Sequence, residues 1–302
     1  MTRFLEALAG KLAEKWLTLL VLPGTLYLAV AITALELGQR HWYDLPMLRD
    51  MLTRLASQPA ARTAGTVVLG LAGLLAAASV AGLAAKALGA MIIRWWLAPA
   101  RDPISRWLLA RRAVRWERAR TRFEQARLFA GRAQRDNRPD ASELVRIAEG
   151  HNAARNRIAL EPPRHPFWLG DRIVAVDRRV LRRYQLDLAS TWPRLWLIVP
   201  EAARAELGTA HAALTSAGQM AGWALSYLAL GTLWWPAAVA GAFTALAAWH
   251  RTKESGDALA ALIESAVDLH GRTLAESLGI TCPGPLTAEM GTEITALLRK
   301  DT

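Results

Sequence analysis

The chain has 302 residues, a formal charge of +11 and 53% hydrophobic residues, only slightly more apolar in bulk than a soluble protein. Its single cysteine, Cys282, excludes an internal disulfide framework and a multi-cysteine zinc site, and reads as an inert buried thiol. Arginine outnumbers lysine 32 to 5, a bias that high-GC coding produces by itself, so basicity alone does not point to nucleic acid.

The apolar residues are segregated. Residues 1–15 carry Leu5, Leu8 and Leu12 and read as an N-terminal amphipathic helix. Residues 16–36 follow, with no charge between Trp16 and Ala34, and 21 residues at a rise of about 1.5 Å match a hydrocarbon core of about 30 Å. Pro23 and Gly24 are expected to kink this first crossing. A cleaved signal peptide fits less well, because the apolar run continues through Leu35 and the leading segment is long and includes the acids Glu6 and Glu14. Residues 37–64 form an external segment whose Leu45, Met47, Leu48, Met51, Leu52 and Leu55 suit a short helix lying on the membrane. The second crossing, 65–86, has no charge before Lys86. Its Gly70, Gly73 and Ala77 set small side chains near one face, the pattern that lets helices approach closely in lipid.

Residues 87–212 read as a basic helical cytoplasmic domain. Between Arg94 and Arg204 stand 24 arginines, 12 acids and no lysine, a net of +12 that exceeds the charge of the whole chain. Asp102-Pro103 predicts a capped helix start. No helix breaker follows until Gly131, and Trp116, Ala119, Phe123, Ala126 and Ala130 form a narrow apolar stripe. Arg106, Arg111, Arg112, Arg115, Arg118 and Arg122 on this helix are the candidate contacts for anionic lipid headgroups or a partner. No aromatic-interleaved RNA motif or zinc-finger spacing accompanies them, which disfavours nucleic acid. Further helices are expected over 141–158 and, after the proline-rich 161–166, over 172–184 with Asp171 as its cap. The stretch from Trp192 to Pro200 is too short to cross lipid and reads as a packed connector or an interfacial element.

The run from Ala217 to Trp249 holds 33 uncharged residues, about 50 Å as one helix and too long for one untilted crossing. Trp234-Trp235-Pro236 interrupts it, so a hairpin is expected, with crossings at 213–233 and 236–250; a re-entrant hairpin and one tilted helix are the alternatives. Gly218 and Gly222 form a GxxxG packing pair. Residues 251–302 are then a cytoplasmic amphipathic helix and tail. Seven of the 13 tryptophans (Trp16, Trp42, Trp95, Trp96, Trp234, Trp235, Trp249) fall at or just beyond the expected span ends, where an indole is best solvated. Four crossings put Lys11, Lys15, Arg94, Arg101, Arg106, Arg251 and Lys253 on one side, which by the positive-inside rule leaves both termini in the cytoplasm.

Three runs stand out as a motif: Pro166-Phe167-Trp168-Leu169-Gly170-Asp171-Arg172, Arg183-Tyr184-Gln185-Leu186-Asp187-Leu188 and Trp192-Pro193-Arg194-Leu195. Together they resemble the signature of a loosely defined family of bacterial multi-spanning membrane proteins, over roughly residues 160–250. The resemblance implies membrane location and carries no activity.

Patterns that announce chemistry are missing. There is no glycine-rich phosphate loop, HExxH or GxSxG, and the six histidines lack ligand spacing. The span interiors hold no acid, which argues against a proton relay across the bilayer. No catalytic residue, metal or cofactor is therefore expected. The fold expected is an all-α integral membrane protein of a bacterial plasma (inner) membrane, with two N-terminal crossings, a C-terminal hairpin and an arginine-rich helical domain. Its expected partners are the bilayer, anionic headgroups and copies of itself. The function expected is a non-enzymatic membrane-anchored scaffold; the alternative is an oligomeric pore, such as a membrane-permeabilising defence effector.

Overall fold

The computed structural model describes residues 21–40, 43–44, 46–47, 49–50, 53, 57 and 64–299. The expected helix over 1–15, residues 16–20 of the first expected crossing, most of the external segment, and Trp16 and Trp42 lie outside the described residues. Among the described residues the chain is helical without a strand, in nine helices. These are α1 (Leu22–Leu37), α2 (Ala64–Leu97), α3 (Pro103–Arg135), α4 (Ala141–Ile158), α5 (Trp168–Tyr184), α6 (Leu188–Ile198), α7 (Glu201–Leu230), α8 (Trp235–Ser277) and α9 (Ala288–Arg299). One of them, through Gly65–Leu97, is long and apolar enough to cross a membrane; α1 is apolar but shorter. The chain divides into two compact units, Met1–Ile93 with Thr215–Arg251 and Arg94–Leu214 with Thr252–Thr302.

The first unit packs α1, the bulk of α2, the end of α7 and the start of α8 through small residues. A methyl group added to Gly24 would overlap the carbonyl of Ala78, so α1 and α2 touch backbone to backbone there. Gly24 is thus a contact point, while Pro23 occupies the first turn of α1, where its missing N–H costs no hydrogen bond. The same closeness recurs between α2 and α7, where Gly222 lies on Ala85 and Gly89 on Gly218. The α7–α8 reversal at 231–234 brings Gly241 against Leu228. Tyr27 of α1 packs its ring on Trp223 and Tyr227, with centroids 5.6 and 5.4 Å apart. The Gln39 amide clamps the reversal: its nitrogen donates to the carbonyls of Gly231 (3.1 Å) and Thr232 (3.0 Å), and its oxygen accepts from the Trp235 N–H (3.2 Å).

The second unit has a conventional apolar core. Val176 and Val180 of α5, Leu186, Leu195 of α6, Val267 and Leu274 of α8 and Ile294 of α9 are all buried together. Cys282 is buried in the same cluster, its Sγ 3.3 Å from the Gly284 carbonyl oxygen. Beside this core, α3 and α4 run antiparallel through the short connection 136–140, where Asn137 takes φ 48° and Arg138 binds the Asp140 carboxylate at 3.0 and 2.6 Å. The start of α3 follows the sequence reading: Asp102 accepts from the Ser105 N–H at 2.8 Å and from its hydroxyl at 2.6 Å.

Several helices outrun their expected ends. α2 does not stop at Lys86, because lysine is itself a good helix former and the one weak position before Leu97, Gly89, is a packing contact against Gly218. The expected third and fourth crossings are parts of longer helices, α7 from Glu201 and α8 to Ser277, and the separate helix expected after residue 250 is a continuation of α8. Gly256 and Gly271, which would weaken a free helix, sit where Leu169 and Leu286 press on the backbone. α5 starts at Trp168, four residues before the expected position, which places Asp171 inside its first turn.

Candidate anionic-surface interface

The arginine-bearing face of α3 is set from within. The apolar stripe begins one turn before Trp116, and the residue there is Arg112. Its Nη1 donates to Asp171 Oδ2 (2.5 Å) and to the His165 carbonyl (2.9 Å), and its Nη2 to the Ile158 carbonyl. One turn on, the Trp116 indole N–H donates to the Ala159 carbonyl at 2.8 Å. Asp171 also accepts the Arg164 and His165 N–H groups at 2.9 Å each. The pair is well shielded, with side chains 12% and 14% exposed. Burial pushes the Arg112 guanidinium below its ordinary range while Asp171 works against that shift. Arg112 therefore leaves the set of candidate surface contacts: it faces inward and ties α3 to α4, α5 and the 164–165 loop.

Fixing Arg112 inward rotates its neighbours out. Arg111, Arg115, Arg118 and Arg122 follow at i, i+4, i+7 and i+11, so they share one helix face and span about 16 Å. All four are exposed and form no ion pair among the described residues. Arg111 lies 4.6 Å from the Trp107 ring centroid, a cation–π contact at the start of the row. Arg106 is exposed as well, but lies off this row. The nearby acids are taken elsewhere, since Glu117 and Glu124 both point to Arg120, at 3.9 and 2.7 Å.

Elsewhere in this unit about half of the described arginines are held in ion pairs. Arg172 meets Asp257 (2.5 Å), Arg179 meets Glu264 (2.7 Å), Arg182 and Arg178 share Glu161, and Arg299 meets Asp187 (2.8 Å). The hydrogen bonds from Arg179 hold the Glu264 carboxyl below its usual range, and burial opposes them. Half of the unit's arginines without an ion pair among the described residues stand on the single helix α3, whose own acids are Glu117 and Glu124. Such a row can bind anions; it supplies no nucleophile or general base, and among the described residues no group of three or more His, Cys, Asp or Glu side chains gathers into a metal site.

The motif residues have structural duties. Leu169 and Gly170 pack on Gly256 and His165, Trp168 lies under Lys253 with its ring centroid 5.6 Å from Nζ, and Phe167 meets Trp95 at 4.6 Å. The Tyr184 hydroxyl donates to Asp268 at 2.8 Å, Gln185 takes the left-handed turn that ends α5, and Asp187 caps α6 and binds Arg299. Leu186 and Leu195 are fully buried.

The small-residue candidates separate. Gly218 and Gly222 form the α2–α7 seam, whereas Gly70, Gly73 and Ala77 are exposed, and no described residue approaches either glycine. Sequence reasoning passed over Gln39 and the inward turn of Arg112. The second was signalled by spacing, because Arg112 continues the Trp116–Ala119–Phe123 stripe backward by one turn.

Among the described residues these features define an all-α architecture with one helix long and apolar enough to cross a membrane and a basic helical unit. The chain matches no protein-family model, no curated protein and no solved structure. The roles of the motif residues accordingly rest on the contacts described above.

Proposed function

We propose that this chain is a non-enzymatic scaffold that crosses a bacterial inner membrane four times and engages anionic headgroups through the α3 arginine row. The crossings are α1, the first two-thirds of α2, the second half of α7 and the first third of α8, with both termini in the cytoplasm.

The observation that carries the reading is the inverted packing of the first unit. Its inward positions are small, such as Ala78, Ala85, Gly89, Gly218 and Gly222, while Leu26, Leu69, Val80, Leu225 and Phe243 face outward. Among the described residues, charge on α1 and on this unit's parts of α2, α7 and α8 is confined to Glu36, Lys86 and Arg251. In water such a surface greatly exceeds the apolar patches that monomers tolerate. In lipid it is the low-energy arrangement, because hydrocarbon solvates the outer side chains and close backbones gain dispersion. The arginine row supports the headgroup assignment, since guanidinium groups make paired hydrogen bonds to phosphate. Exposed Trp107 adds an interfacial side chain beside them. The pore reading loses one of its supports, as Gly218 and Gly222 are occupied within the chain.

Reporter fusions at both ends and in the 231–234 turn test the topology; a terminus outside the cytoplasm, or release of the chain by alkaline extraction, would overturn it. For the headgroups, the full chain and its Arg111/Arg115/Arg118/Arg122→Gln variant are purified in mild detergent and their retained phosphatidylglycerol and phosphatidylethanolamine compared. Several-fold anionic enrichment in the parent alone is expected. Equal ratios would remove the headgroup assignment.

A further inference from the structure

The α3–α4 pair leaves a groove on each flank, one of them beside the arginine row. Between Arg122, Ala126 and Phe129 on α3 and Leu144, Ile147 and His151 on α4 runs a groove of about 290 Å³. Its floor is apolar yet open: Phe129 is 61% exposed and Ile147 42%, although Trp116 and Ala130 on the same helix pair are buried. Two helices side by side offer the ridges and grooves that a third helix fills. A headgroup layer has no knob to set into such a concavity.

Charge selects the occupant. From Pro103 to Ile158 the pair carries 14 arginines and six acids, a net of +8, so a second copy would bring like charge to the same surface. Arg122 belongs both to the groove rim and to the exposed row. From Arg111 to Phe129 the helix rises about 27 Å, or five turns. A partner helix of that length meets the row with carboxylates and the floor with aliphatic side chains.

We infer that this flank docks an acidic amphipathic helix of another protein, its apolar face on Phe129 and Ile147 and its carboxylates along Arg111, Arg115, Arg118 and Arg122. The inference rests on the scaffold reading for the charge of the row and adds the apolar floor, which lipid binding does not require.

The test uses the full chain in nanodiscs of purely zwitterionic lipid. The probe is a fluorescein-labelled synthetic peptide of about five helical turns, with leucines at core spacing and glutamates flanking them. Controls are the same peptide with lysine for glutamate and the Phe129→Ser/Ile147→Ser variant, with Ile147→Arg as a second, single change. The replaced side chains are exposed, so the fold is kept, which circular dichroism checks. Anisotropy is expected to show the acidic peptide binding the parent at least about tenfold more tightly than either variant, with no binding of the lysine peptide. Equal affinity for parent and floor variants would overturn the inference and assign the face to electrostatics alone. Self-association of the parent that the floor variants abolish would overturn it in favour of a second copy. The floor variants keep the anionic-lipid ratio of the parent, so failure here and failure of the headgroup assignment are read separately.

Discussion

Arg112 and Asp171 stand 59 residues apart in the chain, and their side chains meet at 2.5 Å. That contact sets the rotation of α3. With Arg112 held inward beside Trp116, the arginines at 111, 115, 118 and 122 turn to the surface. Six arginines that look alike in sequence thereby divide into one structural residue, four in an exposed row and one, Arg106, beside it.

Removing one partner of a shielded pair leaves the other charge uncompensated. Asp171→Ala is expected to destabilise the second unit by about 3 kcal/mol or more. The double change Arg112→Met/Asp171→Leu, which removes both charges, should cost clearly less. Thermal unfolding of the purified full chain, followed by circular dichroism, measures both; equal losses would mean that the pair does not act as a unit.

Glycines in α2 and α7 should respond oppositely according to place. Gly222→Ala drives a methyl group into the Ala85 carbonyl, and overpacking of this kind costs about 1–3 kcal/mol. Gly70→Ala meets no described residue and should be neutral or stabilising by up to about 1 kcal/mol, the gain in helix propensity. Melting of the two variants in the same detergent compares them directly.

Gln185 ends α5 at φ 53° and ψ 29°, in the left-handed region. A side chain there costs about 1 kcal/mol that glycine avoids. Gln185→Gly should therefore raise the stability of the second unit by about that amount, since its side chain donates no hydrogen bond to a described residue and the bond that Thr295 makes is to its backbone carbonyl. A lower melting temperature would refute this.

The pH response follows from two carboxyls with opposite shifts. Glu264 is held low by Arg179, so its contribution is present above the ordinary glutamate range, near about pH 4.3, and is lost as the pH falls through its depressed value. Glu264→Gln should lower stability at neutral pH and flatten the acid limb. Burial, joined by Asp187, pushes the Asp177 carboxyl up. Its contribution is therefore complete below the ordinary aspartate range and is lost as the pH rises through its raised value. Asp177→Asn should stabilise at neutral pH. Melting temperatures from pH 3 to 8 read both signs.

Much of the architecture follows from local chemistry. Asp102-Pro103 starts α3 where capping requires, α4 occupies 141–158 as the flanking breakers suggest, and Trp234-Trp235-Pro236 marks the α7–α8 reversal. Asp171 is different: its place in the sequence predicts a cap for a helix beginning after it, whereas it lies in the first turn of α5, gathering two N–H groups and a guanidinium. Local sequence shows that its carboxylate will accept hydrogen bonds, but the donors come from α3 and the preceding loop.

Local sequence is enough to read the helical character of the chain, the starts of α3 and α4, the positive charge between Arg94 and Arg204 and the uncharged length of the runs around it, because propensity, capping and periodicity act over a few turns. Only the tertiary structure decided which glycines are seams and which lie open, which arginine is buried, and that Gln39 holds the 231–234 turn. Each of those outcomes depends on a neighbour scores of residues away, and positions with the same side chain and the same helical spacing are equivalent until that neighbour arrives.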